Sequence, residues 1–174
     1  MLPLSVLHAK EMVRSSWQRL ETRHTILFYF GEKDLKKFDR QVEYSAGAWS
    51  FKKLFPSTKS ANVSEELEKK VDALYERVQG ILDMRKGMEK VSIRILRNAK
   101  QFHSVFYENY GKPCRLKAWY AYDHNSIYLN LSDVHEGILA HELAHSIVDH
   151  YLIVRPPRAT AEILARYVDA HLFD

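Results

Sequence analysis

The sequence has few of the features that mark specialised classes of protein. Its 174 residues include one cysteine, Cys114, which excludes both an internal disulfide framework and a metal site built from several thiolates. No apolar run approaches the ~20 residues that a membrane-spanning helix needs, and the first residues lack the basic stretch and apolar core of a signal peptide. No internal repeat or linker interrupts the chain. We therefore expect one globular domain over residues 1–174, without a membrane span.

The sequence also lacks a large excess of positive or of negative residues. Lys and Arg number 26 against 22 Asp and Glu, which gives a formal net charge of +4. The basic residues occur as scattered pairs beside acids, such as Lys36-Lys37 and Lys69-Lys70, rather than as a stripe interleaved with aromatic residues. Nucleic-acid-binding proteins usually carry such a stripe. The pattern therefore predicts solvated helix faces and no nucleic-acid partner.

The first part of the chain, residues 1–90, predicts helices around one strand. Apolar residues at helical spacing indicate a helix over residues 4–21. A short apolar run rich in strand formers, residues 25–30, predicts a buried strand that ends before Gly31. Further helices are expected over residues 32–49 and 62–86, with a loop over residues 51–62.

The second part, residues 91–174, alternates strands with helices. Val91, Ile93 and Ile95 alternate with polar residues and predict a strand over residues 91–96. A helix should follow over residues 98–110, closed by Gly111. The remaining expected elements are a strand pair (116–122 and 126–131), a helix from Ser132 or Asp133 to about His150, and a last helix (158–173) after Pro156-Pro157. We expect an α+β domain with a mixed sheet.

The penultimate helix carries the motif His141-Glu142-Leu143-Ala144-His145. Four residues make slightly more than one helical turn, so both imidazoles lie on one face with Cβ atoms about 6 Å apart, a separation that suits two ligands of a zinc ion. Glu142 lies about 100° around the helix, where it can reach a metal-bound water as general base. Two histidines with ordinary structural partners are the alternative. The flanking Ile138 and Val148 favour the metal, because imidazoles on an apolar face need partners.

A catalytic zinc site needs a third protein ligand. The metzincin position for a third histidine holds Tyr151, and Cys114 lacks the glycine-bracketed turn of a deformylase-like ligand. Glu162 lies one turn into the last helix on an otherwise apolar face, and residues 146–157 are long enough to fold that helix back. We expect Glu162 as the third ligand. The alternatives are Asp149, His150 and Asp133.

These residues resemble the gluzincin zinc peptidases. The run Glu162-Ile163-Leu164-Ala165-Arg166-Tyr167 is similar to the E-x-[LF]-A-x-[YF] context of that family's third ligand. The closer likeness is to the small peptidase-MA-like or minimal gluzincin domains. It covers residues 91–174, where the strand pair before the motif resembles the edge and adjacent strands of a thermolysin-type N-terminal subdomain. The resemblance implies a zincin-like fold, with a mixed twisted sheet, an antiparallel edge strand, an active-site helix and a C-terminal ligand-bearing helix.

The resemblance also implies a zinc-dependent peptidase. One Zn²⁺ per chain would be held by His141, His145 and Glu162. Glu142 would be the catalytic general base and acid for a zinc-activated water. The substrate, a peptide or an unfolded protein, would pair with the edge strand at Ala118, Trp119 and Tyr120. A zincin-fold module that binds or regulates without hydrolysing peptides is the alternative.

The sequence departs from the family pattern in three ways. The larger gluzincins have a further subdomain that supplies a Tyr or His to the oxyanion, so a donor is expected elsewhere, among Tyr120, Tyr122, Tyr128, His150, Arg166 and Tyr167. The family's acid that braces a zinc histidine is replaced by Arg166, and Asp169 is the expected substitute. Latency is also an expectation, with residues 1–22 or Asp174 lying in the cleft.

Overall fold

The computed structural model describes residues 17–44 and 63–174. They form an α+β arrangement with a five-stranded mixed sheet in the order β1-β2-β3-β5-β4. The strands are β1 (Gln18–Glu21), β2 (Thr25–Tyr29), β3 (Val91–Leu96), β4 (Ala118–Ala121) and β5 (Ser126–Asn130). The helices in these ranges are α1 (Glu32–Gln41), α2 (Val63–Leu82), α3 (Ala99–Tyr110), α4 (Glu136–Tyr151) and α5 (Arg158–His171).

The sheet combines a parallel centre with antiparallel edges. Strands β2, β3 and β5 are parallel to one another, whereas β1 and β4 run antiparallel to their neighbours. The central strands are the most buried, and Val91, Ile93 and Ile95 have no exposed surface, as their alternation predicted. The predictions of an α+β fold, a mixed sheet and an antiparallel edge strand before the motif helix are thus confirmed.

Helices cover both faces of the sheet. On one face, α2, α4 and α5 form the larger core, to which α2 contributes residues at helical spacing, namely Leu67, Val71, Leu74 and Val78. On the other face, α3 packs Phe102 and Phe106 against Trp119. Trp119 in turn stacks on Tyr128 of the neighbouring strand, with ring centroids 4.4 Å apart. None of the described helices combines the length and the apolarity needed to cross a membrane.

The first predicted helix is wrong where the structure describes it. Residues 18–21 form β1, because they pair antiparallel with β2 in a register that joins Gln18 to Tyr29. Tertiary pairing of this kind overrides a weak helical periodicity. Residues 1–16 lie outside the described residues, as do the predicted loop and the predicted end of the second helix, residues 45–49. That helix, α1, ends at Gln41, and Val42 then leaves it to enter the core.

Three helix boundaries differ from the predicted ones. Helix α2 ends at Leu82 rather than near residue 86, because Asp83 takes a left-handed φ of 52° that stops the helix. Helix α4 begins at Glu136, since residues 130–134 form a turn in which the amides of Asp133 and Val134 donate to the carbonyl of Asn130. Helix α5 starts at Arg158 as predicted and ends two residues earlier, at His171.

Gly111 ends α3 as predicted. It has φ 65° and donates its amide hydrogen to the carbonyl of Tyr107, while Asn98 caps the other end by accepting from the amide of Gln101. A left-handed backbone strains any residue that carries a Cβ.

We predict that Gly111→Ala lowers the free energy of unfolding by about 1 kcal/mol, because alanine must adopt this left-handed conformation. Gly87→Ala is the matched control, because Gly87 has open space around it and no positive φ. It should leave stability unchanged or slightly higher. Urea unfolding of both variants measures the difference, and equal effects at the two glycines would contradict the prediction.

Candidate metal centre

The packing of α5 on α4 brings the two halves of the candidate site together. Helix α5 buries one stripe, Ala161, Ala165 and Val168, and packs most extensively against α4. Two of these residues are alanines, and α4 is likewise buried at Ala140 and Ala144, so the helix backbones approach closely. Glu162 follows the first residue of this stripe and therefore lies beside the turn of α4 that carries the two motif histidines.

Three side chains meet at this packing contact. Glu162 Oε2 lies 3.5 Å from His145 Nε2 and 3.9 Å from His141 Nε2. Zn–N bonds of 2.0–2.1 Å at tetrahedral angles place ligand atoms about 3.3 Å apart. The observed group, with its ligand atoms within 4.8 Å of one another, is thus close to the spacing that zinc requires. Its two nitrogens and one carboxylate oxygen are also a donor set that zinc uses.

The orientation of His141 is set by a carboxylate on α5. His141 Nδ1 donates a hydrogen bond of 2.9 Å to Asp169 Oδ2. With the proton on Nδ1, the lone pair of Nε2 faces Glu162 and His145, as a metal ligand requires. Asp169 lies two turns after Glu162, and this contact is the bracing arrangement that the sequence predicted in place of an acid at residue 166.

Arg166 holds the other oxygen of the Glu162 carboxylate. Its Nε donates to Glu162 Oε1 at 2.9 Å, one helical turn along α5. This hydrogen bond is the main reason why the pKa of Glu162 lies below its usual value, with the nearby imidazoles adding to the effect. The ionised carboxylate is therefore favoured, with one oxygen bound by Arg166 and the other facing the histidines. Burial meanwhile lowers the pKa of His145, which favours the neutral imidazole that binds metals.

Glu142 has a different environment from the other acids. Glu142 is only 8% exposed, and this burial raises its pKa to about 7. The positive charge of His141 and a backbone hydrogen bond from Tyr120 act in the opposite direction and lower the pKa. Glu162 and Asp169 raise it further through their negative charges. A carboxyl group of this kind can take up or release a proton near neutral pH, as a general base and acid must.

The three proposed ligands and Glu142 line one cleft of about 680 Å³ beside β4. The predicted substrate-binding residues Ala118, Trp119 and Tyr120 border the same cleft as Glu142 and the metal group. The Trp119 side chain is largely committed to its stack with Tyr128 under α3. The main chain of β4, more than its side chains, is therefore available to a ligand.

Each of the alternative third ligands has another partner in the structure. The Asp149 carboxylate accepts a 3.0 Å hydrogen bond from Arg155, and its side chain is 4% exposed. His150 Nε2 is hydrogen-bonded to the Tyr120 hydroxyl at 2.7 Å. Asp133 binds the side-chain amide of Asn130. Among the described residues, the group that could hold a metal ion contains Glu162 together with the two histidines.

Five of the six expected oxyanion donors lie outside the lining of the cleft. Tyr120 is the one of the six that lines it, and its hydroxyl already contacts His150. The others have partners of their own: Tyr122 stacks on His150, Tyr128 on Trp119 and Tyr167 on His171, and Arg166 binds Glu162. A ready oxyanion donor is therefore not among the residues that chemistry alone suggested.

Three basic residues of the cleft were missed by the sequence reasoning: Lys112, Arg155 and Arg158. A signal for Arg158 was present, since it precedes Glu162 by four residues and so shares its helix face. The positive charge of Arg158 also contributes to the low pKa of His145. Arg155 and Lys112 lie in loops, whose position depends on tertiary packing.

Two segments were expected to cover the cleft, and the parts of them that the structure describes lie away from it. Residues 17–22 belong to β1 and the turn after it, at the opposite edge of the sheet from β4. Arg77 donates to the backbone carbonyls of Leu172 and Asp174, which holds the described carboxyl end against α2. Residues 1–16 lie outside the described ranges.

No protein-family model, curated protein or solved structure matches this chain. The chemistry of the site is therefore inferred from the geometry of its own residues.

We predict that substitutions of Glu162 and Asp169 lower the affinity for zinc to different extents. Glu162→Ala should lower the affinity most, because two imidazoles alone leave the ion under-coordinated. Asp169→Ala should lower it about 10-fold, because His141 loses the partner that orients it. Glu108→Ala, at an exposed position of α3, is the control. Competition with a chromogenic chelator measures all three, and an unchanged affinity in Glu162→Ala would show that the third ligand is misassigned.

Glu142 should make the stability of the metal-free protein depend on pH. Its pKa rises from 4.5 to about 7 on folding, so the folded state binds its proton more tightly than the unfolded state. Ionising Glu142 therefore lowers the free energy of unfolding. The loss is small near pH 4.5, grows up to about pH 7 and stays constant above it, at about 3 kcal/mol.

We predict that Glu142→Gln raises the free energy of unfolding of the chelator-treated protein at pH 8 by up to about 3 kcal/mol, and by less than about 1 kcal/mol at pH 5. Denaturant unfolding at the two pH values measures the gain. Glu108→Gln removes an exposed carboxylate and should show no such difference. A gain in Glu142→Gln that does not change with pH would contradict the buried, protonated state of this residue.

Proposed function

We propose that this chain is a zinc-dependent peptidase with a zincin-like fold of the gluzincin type. The observation that supports it is the meeting of His141, His145 and Glu162 from two helices, with the buried Glu142 lining the same cleft. Zinc fits this set by its donor atoms, by the spacing between them and by the Asp169 contact that orients one imidazole. These features together suit metal-assisted hydrolysis. As a salt-bridge cluster on a helix surface they would contribute little to stability.

A zinc ion in this site would polarise the scissile carbonyl and lower the pKa of the attacking water. Glu142 then accepts the proton of that water as the new C–O bond forms. The same carboxyl group, with a pKa near 7, passes the proton to the amide nitrogen as the C–N bond breaks. The second proton of the water also goes to the departing amine, so the products are a carboxylate and an ammonium group, and one residue serves both steps.

The edge strand explains how such a site holds its substrate. Strand β4 pairs with β5 on one side, and its other side faces the cleft. The Tyr120 amide on this side already donates to Glu142. An extended peptide can pair with the remaining main-chain groups, through hydrogen bonds that every residue type offers. The proposed substrates are therefore flexible or unfolded protein segments, since a folded loop rarely presents an extended backbone.

The proposal is tested by Glu142→Gln, which keeps the size of the side chain but removes its basicity. We expect wild type and variant both to retain about one zinc per chain by elemental analysis, while hydrolysis of an unfolded protein substrate falls about 10²- to 10⁴-fold in the variant. Glu108→Gln should cleave like wild type. Mass spectrometry of the fragments measures the rate.

The other outcomes separate the alternatives. Zinc in both proteins with no hydrolysis by wild type would favour a zincin-fold module that binds without cleaving. Equal hydrolysis by wild type and Glu142→Gln would remove Glu142 from the reaction. Absence of zinc from chelator-free protein would overturn the proposal as a whole.

A further inference from the structure

The acids that line the cleft already have partners. The Asp149 carboxylate binds Arg155 Nε at 3.0 Å, and the Glu162 carboxylate is shared between Arg166 and the motif histidines. Glu142 is only 8% exposed and accepts a backbone hydrogen bond from Tyr120. Little negative charge in the cleft is thus left to attract or balance a further cation.

The basic residues of the cleft are not balanced in the same way. Arg155 binds Asp149 and lies over the Tyr122 ring, with its guanidinium carbon 4.0 Å from the ring centroid. Arg158 and Lys112 line the cleft, are exposed, and have no ion pair or hydrogen bond within residues 17–44 and 63–174. The uncompensated charge that faces the cleft is therefore positive.

Arg158 is the better placed of the two for contact with a bound peptide. It is the first residue of α5 and lies one turn before Glu162 on the same helix face. Arg166, also exposed on α5, shows the contrast, since its guanidinium is occupied by Glu162. A guanidinium without a partner beside a catalytic cleft offers a planar pair of donors that matches a carboxylate.

We propose that Arg158 is a specificity-determining residue that binds a carboxylate of the peptide substrate, with Lys112 adding positive potential. The inference rests on the proposed function, whose substrate class it narrows from any extended peptide to those that place a carboxylate near α5. That carboxylate is supplied by an acidic side chain or by the peptide's own carboxyl terminus. Exposed Tyr110 and Leu116 side chains also line the cleft and offer contacts to apolar residues of the peptide.

Binding to the zinc-supplied Glu142→Gln protein tests this inference without cleavage. The probes are fluorescein-labelled octapeptides of Ala, Leu and Ser with one central residue changed. One has Glu and an amidated end, one has Gln and an amidated end, one has Gln and a free carboxyl end, and one has Lys and an amidated end. We expect the Glu peptide, the free-end peptide or both to bind about 5-fold more tightly than the amidated Gln peptide. Which of them gains identifies the source of the carboxylate.

Variants of Arg158 then assign the preference to this residue. Arg158→Gln should abolish the 5-fold gain, and Arg158→Glu should reverse it, so that the Lys peptide binds best. A reversal requires a folded protein, which separates the charge effect from misfolding. Lys33→Gln removes an exposed charge on α1, away from the cleft, and should leave the preference unchanged.

Equal binding of all four peptides, binding of none, or a preference that survives Arg158→Gln would each overturn the inference. Its failure is distinguishable from failure of the proposed function. A carboxylate preference in a protein whose wild type never hydrolyses peptides supports Arg158 and contradicts the peptidase. Hydrolysis by wild type with no such preference supports the peptidase and contradicts the role of Arg158.

Discussion

The close packing of α5 on α4 is the constraint on which the candidate site depends. Small residues at Ala161 and Ala165 let the helices approach, and this approach carries Glu162 to within 3.5 Å of His145 Nε2. The same packing supplies Asp169 to His141. Without it, α4 would present two imidazoles and a buried acid with no third ligand. The proposed metal site is thus a consequence of ordinary helix packing.

The roles proposed for the three acids around this contact differ because their surroundings differ. Glu162 is half-exposed, held by Arg166 and ionised, which suits a ligand. Glu142 is buried and has a raised pKa, which suits proton transfer. Asp169 accepts a hydrogen bond from His141 Nδ1, and does not face the Nε2 side where the proposed ligand atoms meet. Two glutamates and one aspartate in three different environments would thus divide metal binding, proton transfer and the orientation of an imidazole among them.

Sequence reasoning located those parts of the site that depend on local spacing. The shared face of His141 and His145 follows from the helical repeat, and Glu162 and Asp169 follow from a second helix that folds back. The strand at residues 18–21 was missed because only its partner, β2, makes it a strand. The basic lining of the cleft was missed because Lys112 and Arg155 lie in loops, and no periodicity connects loop residues to a site.

The two edges of the sheet also differ in what they permit. Strand β1 has only four residues and carries the Arg19–Glu21 ion pair, so it offers little to a neighbouring sheet. Strand β4 is equally short and is flanked by α3 on one side and the start of α5 on the other. Residues of both helices line the cleft along this edge and restrict how a foreign backbone can approach it. An edge strand that would otherwise invite aggregation is thereby partly walled in.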